Sequence, residues 1–142
     1  MFVSDILAEK GGIVFSVTPR TTAAQVAEQL STRRVGSVLV LRENEVVGIV
    51  SERDLVRGMA QHGAAALEME AREIMTTDVV SCDPDDTIEQ VMAIMTRGRF
   101  RHLPVIRHGE LLGLVSIGDV VKARLTETQV EAEALKAYIV AS

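Results

Sequence analysis

Apolar and polar positions in this chain switch between a helical and a strand-like period, and the whole sequence of switches occurs twice. Beyond Thr21-Thr22 the apolar positions Val26 and Leu30 fall at helical spacing, and beyond Asp86-Thr87 so do Ile88, Val91, Met92 and Met95. Threonine and aspartate suit a helix start because their side-chain oxygen accepts from an N–H that the helix leaves free. Helices are therefore predicted at about 22–33 and 87–98. The runs Ser37-Val38-Leu39-Val40-Leu41 and His102-Leu103-Pro104-Val105-Ile106 read as strands. Each leads through a short turn, Glu43-Asn44-Glu45 or His108-Gly109-Glu110, into a second strand, Val46–Val50 or Leu111–Val115. Another helix begins at once, from Glu52 and from Ile117. With a first strand near Val14–Val17 and Val79–Cys82, each copy reads β-α-β-β-α.

The two copies align at a constant offset of 65 residues, without a gap from residue 14 to 56. Pro19, Thr22, Gln25, Val26, Arg34, Val40, Gly48, Ser51 and Asp54 meet identical residues at Pro84, Thr87, Gln90, Val91, Arg99, Val105, Gly113, Ser116 and Asp119. Self-similarity at a fixed period sets the architecture before any local reading does. Two copies are too few for a solenoid, and one copy alone is too small to close a core readily. The prediction is an α/β (α+β) fold of two repeats related by a pseudo-twofold. Residues 1–60 form repeat 1, 61–70 a partly helical linker, 71–124 repeat 2, and 125–142 a helical extension without counterpart. The extension carries Leu125, Ala132, Leu135, Tyr138 and Ile139, apolar surface that suggests a partner.

Composition narrows the function classes. The 142 residues are 47% hydrophobic and 25% charged, enough apolar material for a real core. The net charge of −5 argues against nucleic acid and anionic membranes as partners. Apolar runs are strand-sized, so no membrane span is expected, and Met1-Phe2-Val3-Ser4-Asp5 does not open a secretory signal. The single Cys82 cannot form an internal disulfide, which suits a reducing compartment, and the expected location is cytoplasmic. His62, His102, His108 and Cys82 lack the close spacing of a zinc site, so no metal is assigned.

Both copies set Gly-x-x-Ser-x-x-Asp across the junction of last strand and last helix: Gly48, Ser51, Asp54 and Gly113, Ser116, Asp119. A strand glycine lets another group approach the backbone closely. A serine at a helix start, with the free N–H groups there, can hold a phosphate, and an aspartate one turn in can accept from two sugar hydroxyls. The same residues serve equally as a plain N-cap and a first-turn acid favoured by the helix dipole. Spacing alone leaves both readings open.

The paired pattern, with Gly48-Ile49-Val50-Ser51-Glu52-Arg53-Asp54, Gly113-Leu114-Val115-Ser116-Ile117-Gly118-Asp119 and Arg101-His102-Leu103-Pro104-Val105, resembles the cystathionine-β-synthase (CBS) domain family in the tandem form called a Bateman module. The likeness covers about residues 3–125, and short stand-alone bacterial members open with a segment similar to Val3-Ser4-Asp5-Ile6-Leu7. The resemblance implies an adenosyl ligand (AMP first, then NAD or ATP, with ADP and S-adenosylmethionine as further members) in clefts between the copies, and a homodimer. It further implies a main cleft of Val17, Thr18, Arg101, His102, Ser116 and Asp119, and a second cleft of Gly36, Ser37, Ser51, Arg53, Asp54, Cys82 and Asp83. Arginine binds phosphate in a planar fork whereas an extra carboxylate repels it, so the Asp119 cleft is expected to bind a phosphorylated ligand more tightly. Arg33 and Arg34 lie near Asp54 in sequence and could serve a longer ligand.

Other residues carry the plainer reading. Met92 and Met95 are core fillers at helical spacing, and Cys82 in a strand is more often buried than reactive. No nucleophile, base and orienting group fall together and no Walker loop is present, so an enzyme is not expected. The expected function is a regulatory module that senses an adenosyl ligand and signals to an unknown regulated protein by changing shape. The alternative is a ligand-independent dimerisation scaffold.

Overall fold

A computed structural model describes residues 1–12 and 14–141. In chain order the elements are α1 (Val3–Lys10), β1 (Ser16–Val17), α2 (Ala23–Arg33), β2 (Ser37–Arg42), β3 (Glu45–Ser51) and α3 (Glu52–His62). A 3-10 segment (Gly63–Glu68) leads to α4 (Ala71–Ile74), followed by α5 (Ile88–Gly98), β4 (His102–Arg107), β5 (Glu110–Ser116) and α6 (Ile117–Ala141). The fold is mixed α/β with two repeats of strand and helix elements, as predicted. None of the described helices is long and apolar enough to cross a membrane. Ser142, the last residue of the predicted extension, lies outside the described residues.

The predicted helix starts are realised as reciprocal caps. Thr22 Oγ1 accepts from Gln25 N at 3.2 Å while Gln25 Oε1 accepts from Thr22 N at 3.0 Å. Thr87 and Gln90 repeat this at 3.1 and 2.8 Å. Each exchange satisfies two backbone N–H donors that would otherwise be free, a contribution of about 1 kcal/mol per cap. Both helices stop on an arginine in the left-handed region, Arg34 at φ 55° and Arg99 at φ 56°.

The chain divides into two compact units. One, here the Asp54 unit, is Val14–Val80 with Gly109–Leu111; the other, the Asp119 unit, is Met1–Ile13, Ser81–His108 and Leu112–Ser142. In the Asp54 unit, β1 runs parallel to β2, and β2 antiparallel to β3, with Ser37 opposite Ser51 and a register shift at Val40/Leu41. Its core is Val17, Ala23, Val26, Leu30, Val38, Val40 and Val50, closed by Ala71 and Ile74 of α4. In the Asp119 unit β4 and β5 form a two-stranded sheet. The buried residues Ile88, Val91, Met95, Leu103, Val105 and Val115 occupy the same repeat positions, closed by Val3 and Ile6 of α1.

The predicted strand at Val79–Cys82 is reduced to one parallel bridge, Cys82 with Val105. Pro104 stands where β2 has Leu39, and it has no N–H to extend the ladder.

The closing helices α1 and α4 are equivalents at an offset of 68. Met69 O accepts from Ala23 N at 2.8 Å as Met1 O accepts from Ile88 N at 3.2 Å. Ala71 N donates to Thr21 O and Val3 N to Asp86 O; Arg72 N donates to Pro19 O and Ser4 N to Pro84 O. Each helix then lays a side chain on the strand glycine of its unit. A Cβ on Gly48 would come within 2.5 Å of Met75 Sδ and 3.0 Å of Thr76 O, and one on Gly113 within 2.7 Å of Leu7 Cδ2. The glycines of the Gly-x-x-Ser-x-x-Asp pattern thus admit a close approach from within their own unit.

Gly48→Ala is expected to destabilise the protein by about 1–3 kcal/mol, since backbone as well as side chain must give way. Gly113→Ala should cost less, because only the end of Leu7 must turn. Urea denaturation of both variants checks the order, and equal costs would contradict it.

Candidate functional site

Each unit ends its hairpin on a serine that becomes the N-cap of the next helix. In the Asp54 unit Ser51 lies extended at φ −109° and ψ 170°, and its Oγ accepts from Asp54 N at 3.3 Å. In the Asp119 unit Ser116 Oγ accepts from Asp119 N at 3.1 Å. The carboxylates answer: Ser51 N donates to Asp54 Oδ2 at 2.8 Å and Ser116 N to Asp119 Oδ2 at 2.9 Å. The cap reading of these four residues is therefore realised in both units. What else the carboxylates can do depends on their surroundings, and these differ.

Asp54 is only 3% exposed and fully engaged. Its Oδ2 also accepts from Ser51 Oγ at 3.1 Å, and its Oδ1 accepts from Thr76 Oγ1 at 3.0 Å and from the Arg57 guanidinium. A sugar diol would have to displace those donors. Asp119 keeps 25% of its side chain exposed. Its Oδ2 accepts from Lys10 Nζ at 2.6 Å as well as from Ser116 N, and its Oδ1 has no hydrogen-bond donor among the described residues. Burial pushes the Asp119 carboxyl up, but the bonds from Lys10 and Ser116 outweigh it and hold the group below the usual carboxylate range. Lys10 Nζ also donates to Leu114 O at 2.9 Å, so α1 is fastened to the end of β5.

His102 and Arg101 belong to the same unit. Burial, then the positive field of Lys10, lowers the His102 imidazole against the pull of Asp119, with Arg101 adding to the lowering. His102 is thus neutral at pH 7. Arg101 is exposed, and its carbonyl accepts from Ile117 N at 2.8 Å, as that of Gly36 accepts from Glu52 N at 3.0 Å. Ser37 takes the repeat position of His102; it is buried and its Oγ has no partner among the described residues. An unsatisfied buried hydroxyl at the start of β2, opposite Ser51, is a polar atom that a bound molecule could satisfy.

A family model for the CBS domain matches residues 3–61 and again 71–126. The chain belongs to the CBS domain family. It is 32% identical over 146 aligned positions to the mitochondrial CBS domain-containing protein CBSX3 of Arabidopsis thaliana, covering 96% of this chain and 71% of that one. Among solved structures, a CBS-domain containing protein from Agrobacterium tumefaciens matches with a TM-score of 0.84 and 46% identity, covering 87% of this chain and 99% of that one. CBSX2, solved in complex with AMP, matches with a TM-score of 0.76 at 23% identity, over 89% of this chain and 98% of that one.

The remaining predicted site residues of this CBS pair are distributed between the units. Val17 and Thr18 lie in the Asp54 unit together with Gly36, Ser37, Ser51, Arg53 and Asp54, whereas Cys82 and Asp83 lie in the Asp119 unit with Arg101, His102, Ser116 and Asp119. Val17 is a core residue of its unit, and Thr18 N donates to Thr21 Oγ1 at 3.1 Å in the turn before α2. Arg53 is exposed, and Arg33 lies 3.8 Å over the Phe15 ring. Asp83 is held below the usual carboxylate range by the Asp85 N–H and by Arg107, whose guanidinium also pairs with Asp85. Its charge is offset within its own unit, which weakens the expected repulsion of a phosphate. Burial, reinforced by Asp86 and Asp83, pushes the Cys82 thiol up to about 12, so it is not a reactive thiolate. No group of three or more metal-ligating side chains occurs among the described residues.

Sequence reasoning missed Lys10, Thr76 and Arg57. Lys10 and Thr76 fall outside the stretch that aligns at offset 65, and at offset 68 Thr76 faces Ala8 and Lys10 faces Asp78. The alignment of Val3–Leu7 with Ala71–Met75 would have exposed the closing helices, and Lys10, three residues beyond Leu7, shares its helix face.

The Lys10–Asp119 pair makes stability pH-dependent. Because the folded carboxyl lies below its ordinary value of 3.8, the contribution is complete above that value and is lost as pH falls through the folded one. Wild type and Asp119→Asn should differ in urea midpoint at pH 7 and converge steadily below pH 3.8. A difference that persists undiminished at pH 3 would show that the charge is not what matters.

Proposed function

We propose that this CBS pair is a regulatory module that binds an adenine nucleotide at its Ser–Asp motifs, foremost at Asp119, and passes the bound state to a partner protein. The observation that carries the reading is the half-open Asp119 carboxylate, whose Oδ1 has no donor among the described residues, with Lys10 bonded to its other oxygen and a neutral His102 in its field. A carboxylate fixed by a backbone N–H and still open on one oxygen is suited to a ribose hydroxyl, and the Lys10 ammonium beside it suits a phosphate. The AMP bound to CBSX2 supports the choice of an adenosyl ligand. AMP is the leading candidate, ahead of NAD and ATP. The orphan Ser37 hydroxyl supports a second, weaker site at Asp54, where entry requires Arg57 and Thr76 to yield.

Isothermal titration of nucleotide-free protein with AMP, ATP, NAD and S-adenosylmethionine tests the reading. AMP is expected to bind in the micromolar range, about −8 kcal/mol, and Asp119→Ala to abolish the tighter component. No binding of any of them by a folded protein would leave the scaffold reading.

We further propose self-association through α6. Ile117, Val121 and Leu125 recur at helical spacing on this helix and are 48%, 46% and 66% exposed. Such a stripe is the pattern by which one helix seats against another. Sedimentation velocity should show a dimer for the wild type and a monomer for Val121→Lys; an unchanged dimer would place the interface elsewhere.

A further inference from the structure

The lysine that fastens α1 has capacity left over. An ammonium carries three N–H donors, and Lys10 uses two, one to Asp119 Oδ2 at 2.6 Å and one to Leu114 O at 2.9 Å. Its side chain is 38% exposed. A groove of about 410 Å³ opens beside Lys10 and Asp119, and its two other carboxylates are already engaged, Asp5 with Phe2 N and Glu9 with Lys122. The cation is anchored by a carbonyl and a carboxylate from β5 and the start of α6, so its position does not depend on a ligand. A donor fixed in this way loses little freedom when an anion arrives. It also stands on the very carboxylate suited to a sugar hydroxyl.

We propose that Lys10 sets the charge selectivity of the Asp119 site: its third N–H meets an anionic oxygen of the ligand, so the site takes phosphorylated adenosyl compounds and rejects the neutral nucleoside. This rests on the adenine-nucleotide reading above and adds to it the residue that chooses between ligand classes. Asp54 has no such device. Its cation, Arg57, comes from its own helix and lies on a carboxylate sealed from solvent, and Thr76, the donor from beyond α4, is uncharged.

The test is titration of the full chain with AMP and with adenosine, in wild type, Lys10→Met and Lys10→Arg, at low and moderate salt. The component absent from Asp119→Ala identifies the site. Lys10→Met is expected to weaken AMP by on the order of tenfold, the loss of one charged hydrogen bond, and to change adenosine less than about threefold. Lys10→Arg should recover most of the AMP affinity, because the charge is kept. In the wild type, AMP affinity should fall with added salt and adenosine affinity should not, a measurement that needs no variant to fold. Wild-type protein that binds both ligands equally, or an AMP-to-adenosine ratio unchanged in Lys10→Met, overturns the assignment while leaving the nucleotide reading intact. Folded wild-type protein that binds neither of these nor ATP, NAD or S-adenosylmethionine overturns both.

Discussion

A sheet of two or three strands is too narrow to bury its own apolar face, and everything else in this protein follows from how that deficit is met. In each unit the longer helices pack against the hairpin, and a short closing helix, α4 or α1, covers what is left. The closing segment comes so near that a Cβ on the strand glycine would press on Met75 and Thr76 O in one unit and on the end of Leu7 in the other. That contact fixes the height of the helix above the sheet. It thereby decides which side chain, Thr76 in one unit and Lys10 in the other, arrives at the aspartate at the end of the hairpin. Packing in the core and chemistry at the rim are set by the same few residues.

The aspartates show how one local motif takes on two characters. Both are held by the same exchange with a serine, a device worth about 1 kcal/mol that needs nothing from the rest of the fold. At Asp54 further donors complete the shell around a buried charge, which low polarity demands. At Asp119 exposure relaxes that demand, so one oxygen remains uncommitted and a single ammonium from another helix supplies the balance. A structural cap and a binding group need not exclude each other. The surroundings determine whether the cap has capacity to spare.

The sequence makes most of this fold legible because the dominant signals are local. Hairpins with polar turns, helices announced by Thr22 and Thr87, and the repeat at offset 65 all emerge without knowledge of the fold. The family pattern rests on the same stretch. The closing helices escape because their offset is 68, and because Val3–Leu7 and Ala71–Met75 share apolar character more than identity. Lys10 escapes for a further reason. Its role is set by a partner 109 residues away, and no periodicity carries such information. The strand at Val79–Cys82 fails where Pro104 withholds an N–H, a loss to the ladder that hydrophobic alternation does not register.

Exchange of closing helices also orders events in time. The Asp54 unit receives α4 directly after the 3-10 segment that follows α3, so nearly all its contacts lie within one continuous stretch of chain. The Asp119 unit is closed by α1, whose Lys10 meets Leu114, 104 positions further along the chain. Non-local closure carries a larger entropic cost and is slower. The first repeat can therefore condense during synthesis while α1 waits. Assembly of the second waits until α1 meets β5 and the start of α6, and the site at Asp119 exists only from that point.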